Sequence, residues 1–91
     1  MSVDFKYIES LLLQLLTSLT TTFTESELKE VQEFIDVGEY GLSLETLVDI
    51  INEENKKIPV ASAKLVEELE NTMLLDKEVF AEKLRGHVID N

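Results

Sequence analysis

The sequence predicts an all-α fold, a compact bundle of four longer helices and a short fifth helix within one helical domain, 1–91. Three observations predict it. Apolar residues recur at i, i+3, i+4 and i+7 in successive stretches. Capping residues, glycines and a lone proline fall between those stretches. No segment alternates apolar and polar residues between turn signals, as a half-buried strand would.

Phe5, Ile8, Leu12, Leu15, Leu16 and Leu19 share one face of a first helix over 4–20, with Lys6, Ser10, Gln14 and Thr17 opposite. Asp4 caps its start, and the weak helix formers Thr20, Thr21 and Thr22 end it. Leu11 and Leu13 fall off the stripe, on a side free for self-association. The run Leu11–Leu16 is too short to span a bilayer, and Asp4 and Glu9 around Lys6 do not make the positive start of a secretory signal. It reads as a core helix.

Thr24 and Glu27 have capping-box spacing, so a second helix begins there. Its stripe is Leu28, Val31, Phe34 and Ile35, and Gly38 supplies a left-handed stop. Tyr40 lies in the following turn between two glycines, as a plug on the bundle's end or a contact for a partner. The third helix, 42–54, buries Leu44, Leu47, Val48 and Ile51.

A polar loop, Asn55-Lys56-Lys57, leads to Pro59, which suits a helix's first turn and not its interior. The fourth helix, 60–74, buries Leu65, Val66, Leu69 and Met73, and Glu67, Glu68 and Glu70 fan over a solvated face. Asp76 caps a fifth, 77–85, with Phe80 and Leu84 inward and Gly86 past its end. His87 is expected on the surface or at the helix end. The tracts Thr17–Phe23 and Val88-Ile89 come nearest to strands, and neither is taken as one.

Charge narrows function. Nineteen acids against eight bases leave −11 over 91 residues, which disfavours direct binding to nucleic acid or anionic membranes and suits a basic protein partner. Without cysteine there is no thiol nucleophile or thiolate metal site, which fits the cytoplasm. A chain this short has little room for a deep pocket beside its core. No catalytic, cofactor-binding or metal-ligating set is predicted, and the protein is expected not to be an enzyme.

What remains is surface. Glu45, Asp49 and Glu53 form an i, i+4, i+8 ladder of like charge with no basic residue on the ridge, at a cost of a few tenths of a kcal/mol per pair. Glu33, Asp36 and Glu39 extend the patch if the second and third helices pack antiparallel. An exposed Leu42 would give that patch an apolar centre.

The segment from Val31 to Asp49, with Gly38-Glu39-Tyr40-Gly41-Leu42-Ser43-Leu44-Glu45 at its heart, resembles the core of MafI-type immunity proteins. The chain beyond Asp49 is similar in order: an acidic polar loop, Ile58-Pro59, a helix ending in Met73, and a Leu75-Asp76 step. The resemblance covers residues 25–80. It implies a small cytoplasmic helical protein that neutralises a cognate toxin C-terminal domain of a polymorphic or contact-dependent bacterial system, often a nuclease. It also implies a stoichiometric inhibitor without turnover, a monomer in a one-to-one complex. The expected toxin-binding residues are the acids Asp36, Glu39, Glu45, Asp49 and Glu53, taken on charge, with Tyr40 as an aromatic contact and Leu42 as the apolar centre. The alternative is a non-enzymatic adaptor or homo-oligomerisation module using the leucine-rich first helix.

Overall fold

Asp4 accepts a hydrogen bond from the Tyr7 backbone N–H at 3.1 Å, and α1, Phe5–Ser18, starts from that cap. The computed structural model describes residues 4–90. Thr24 and Glu27 form the expected reciprocal capping box at the start of α2, Glu25–Asp36. Gly38, at φ +76°, closes α2: its N–H donates to Ile35 O and the Glu39 N–H to Phe34 O, the two bonds of a Schellman end. The third helix, α3, then begins at once and spans Tyr40–Glu53. It ends in the same way, with Asn55 in the left-handed region and the Lys56 N–H on Ile51 O.

A two-residue strand β1, Ile58–Pro59, leads into α4, Val60–Met73, with Pro59 as its N-cap. Asp76 caps α5, Lys77–Leu84, by accepting from the Glu78 and Val79 N–H groups. Past Gly86, at φ +81°, Val88–Ile89 forms β2 and pairs parallel with β1, Val88 against Ile58 and Ile89 against Pro59. Among the described residues five helices account for 71%, and the fold is an all-α bundle.

The helices pack as antiparallel pairs. On α1 and α4, Ser18 meets Ser62 at one end (2.8 Å) and Tyr7 meets Glu68 towards the other (2.7 Å). On α2 and α3, the Ser43 hydroxyl donates to Val31 O at 3.3 Å. Ile8, Leu12, Leu15, Leu44, Leu47, Val48, Ile51, Val66 and Leu69 meet between them without water, each large side chain contributing about 1.5–3 kcal/mol by burial. The radius of gyration, 12.1 Å, matches the roughly 12 Å of a compact chain this long.

Several expectations change. Phe5 is 60% exposed, because it stands on the first turn of α1, where the packed face runs out. Leu11 is buried, because α1 packs against α2, α3 and α4 and its covered arc is wider than one stripe. Of the self-association surface expected on α1, only Leu13 remains exposed. Tyr40 and Gly41 belong to the first turn of α3 and not to a turn before it. Glu70 is buried and not solvated, since it shares the inward row of Val66 and Met73. Finally, Val88-Ile89 is a short strand, and His87 beside it is buried, with Nδ1 2.9 Å from Lys56 O and its own carbonyl accepting from the Ile58 N–H.

Candidate functional site

Because α2 and α3 run antiparallel, the start of one lies beside the end of the other. Glu27 and Glu30 from α2 therefore face Asp49 and Glu53 from α3, with Glu54 just beyond its end. These five carboxylates, with Thr46 and Ile50, line a groove of about 360 Å³. Two of them are neutralised within the chain. Lys56 lies 2.9 Å from Glu27, and Lys83 of α5 lies 2.6 Å from Asp49. Among the described residues no Lys, Arg or His nitrogen comes within 4.0 Å of Glu30, Glu53 or Glu54.

The expectation of an unneutralised α3 ridge is thus corrected at Asp49. The cation comes from α5, more than thirty residues further along the chain, and helix spacing alone does not show it. Glu53 lines the groove with Asp49, and Glu45 continues the ridge one turn earlier, exposed. The groove's α2 wall is Glu27 and Glu30, and Glu33 and Asp36 do not line it. Asp36 is exposed and accepts from the Gln32 side-chain amide at 2.9 Å. Glu27 was absent from the expected set because its capping-box spacing marked it as structural; it serves both places. Glu30, at i+3 from Glu27, was the available signal.

Glu39 and Tyr40 sit elsewhere, at the end of the bundle formed by the α2–α3 turn, the start of α1 and the end of α4. Tyr40 packs against the core, donates its hydroxyl to Glu9 at 3.0 Å and places its ring 6.0 Å from that of Phe5. The plug it forms is therefore real. Leu42 is 45% exposed on the first turn of α3. Of the seven expected residues, Asp49 and Glu53 line the groove and Glu39 and Tyr40 line the depression at the bundle's end, while Asp36, Leu42 and Glu45 line neither.

Electrostatics separate the carboxylates further. The Thr24 backbone N–H, and after it the Lys56 ammonium, hold the Glu27 carboxyl below its ordinary range. Burial, reinforced by the charge of Glu67 and opposed by Lys77, pushes Glu70 up, and its Oε2 has no hydrogen-bond partner among the described residues. The hydrogen bonds to Glu9 and Glu68 raise the Tyr40 and Tyr7 phenols, because a carboxylate acceptor favours the protonated hydroxyl. Among the described residues no group of three or more His, Cys, Asp or Glu side chains is arranged to hold a metal ion, and no helix is long and apolar enough to cross a membrane. No family model, curated protein or solved structure matches this chain.

Proposed function

We propose that this protein is an immunity protein that binds and neutralises a cognate bacterial toxin domain, a basic nuclease, in the cytoplasm and without turnover of its own. The observation that carries the proposal is the α2–α3 groove, in which three of five carboxylates have no cation within 4.0 Å among the described residues, in a chain of net charge −11. Keeping like charges together costs stability, and a basic partner converts that cost into attraction. Nuclease clefts carry Lys and Arg for phosphates, and carboxylates on a rigid helix pair can occupy the same positions. Long-range attraction between opposite net charges also speeds encounter. The resemblance of residues 31–49 to MafI-type immunity proteins supports the same reading.

The test reverses charges that are not used internally. Glu30→Lys with Glu53→Lys leaves the Lys56–Glu27 and Lys83–Asp49 pairs in place, whereas Asp49→Lys would set two ammonium groups against each other. The expected result, with helical circular dichroism retained, is association with the toxin domain encoded beside this reading frame slowed by about tenfold or more at low salt, and lost protection of cells expressing that toxin. Unchanged protection removes the groove from the interface. Concentration-dependent dimers in sedimentation would favour the adaptor reading instead.

A further inference from the structure

Among the described residues, three helix ends place a residue in the left-handed region and bond the next N–H to the carbonyl five residues back. Two use residues suited to it, Gly38 (φ +76°) and Asn55 (φ +50°). The third uses Leu74, at φ +57°, with the Leu75 N–H on Glu70 O at 2.9 Å. A left-handed non-glycine residue costs on the order of 1 kcal/mol. The Leu74 side chain returns nothing to the fold for that cost: it is 90% exposed, and its neighbour Leu75 makes the apolar contact with the core.

Leu74 does not stand alone. It lines a depression of about 310 Å³ with Phe5, itself 60% exposed, and with Ile8, Tyr40, Met73 and the backbone of Gly38 and Gly41. The surface thus gathers a strained leucine from the end of α4 and an unburied phenylalanine from the start of α1, which the antiparallel pairing brings to one end of the bundle. No Lys, Arg or His lines it, and Glu39 stands on its rim. Lys6, next to Phe5 in sequence, lines a different groove along α1.

We propose that this end of the bundle is a second docking surface, where an apolar side chain of a basic protein partner enters between Phe5, Tyr40 and Leu74 while cations around it face Glu39. Charge chooses the occupant. A second copy carries the same −11 and, across a two-fold axis, would set Glu39 against Glu39. A basic partner meets complementary charge at the rim and apolar surface at the centre, the arrangement of a binding hot spot. The proposal rests on the basic-partner reading above and adds a place and a chemistry to it.

The test is a titration of the full chain with a synthetic peptide that carries phenylalanine and leucine between pairs of lysines, followed by amide chemical shifts. The control peptide has two serines in place of the apolar pair. Expected are shifts around Phe5, Tyr40 and Leu74, with affinity about tenfold weaker for the serine peptide and for the Leu74→Gly variant. Leu74→Gly relieves the backbone, so its melting temperature should hold or rise, which separates a lost contact from a lost fold. Equal binding of the two peptides overturns the docking surface, as does a fall in melting temperature that accounts for the weakened binding. So does a Leu74-dependent dimer in sedimentation. Shifts confined to Glu30, Glu53 and Glu54 overturn it while leaving the basic-partner reading standing. Binding of neither peptide anywhere on the chain overturns both.

Discussion

The two ends of this bundle are finished differently. At one end the α1–α2 turn, the end of α3, the start of α4 and the C-terminal tail are tied by polar groups. Lys56 reaches Glu27 (2.9 Å), Thr22 O (3.1 Å) and the face of Phe23 (5.4 Å); Lys57 reaches Gly86 O (2.7 Å); β1 and β2 close the seam over His87. At the other end two tyrosine hydroxyls reach carboxylates, Tyr40 to Glu9 at the depression and Tyr7 to Glu68 beside it, and Phe5 and Leu74 lie open. Satisfying polar groups internally makes an end stable and leaves it little to offer a partner. An end with strained and exposed apolar groups costs stability that binding can recover.

The closed end should be the easier to break. Lys56→Met removes one member of a largely buried ion pair and leaves Glu27 and Thr22 O without it, so stability should fall by about 2–3 kcal/mol in chemical denaturation. The same pair predicts acid sensitivity. Because the folded state holds Glu27 below its ordinary value of 4.5, its contribution is present above that pH and is lost as pH falls through the lower folded value. Glu27→Gln should flatten that limb of a stability-versus-pH curve.

Glu70, buried on α4, should respond in the opposite sense. Its folded pKa lies above 4.5, so the folded state holds the proton more tightly, and stability declines as pH rises from 4.5 through the raised value. Glu70→Gln should gain about 1 kcal/mol at pH 7 and remove that decline, measured by urea denaturation at a series of pH values. Open-end changes should be smallest. Leu74→Gly should change stability by less than about 1 kcal/mol, upward or not at all, because relief of the left-handed backbone is set against glycine's larger unfolded-state entropy. A loss at Leu74 as large as that at Lys56 would erase the distinction between the ends.

Much of the architecture was legible. Leu44, Leu47, Val48 and Ile51 are all buried as their spacing predicts, and Asp4, Thr24 with Glu27, and Asp76 cap the helices expected of them. Such features depend on groups within about four residues, which helix periodicity encodes directly. The candidate site was legible only in part. Glu45, Asp49 and Glu53 share their ridge as expected, but the facing wall of Glu27 and Glu30 depends on how α2 lies along α3.

From its residues alone, this chain determines an all-α bundle, its helix boundaries to within a few residues, and a large negative charge to be carried on the surface. Periodicity, capping and composition are properties of neighbours in sequence. Only the tertiary structure decided that Asp49 is neutralised by Lys83, that Glu70 is buried with no partner for its Oε2 among the described residues, and that Phe5 and Leu74 come together at an open end. Each of these depends on groups far apart in sequence, and their distance is set by the packing of whole helices against one another.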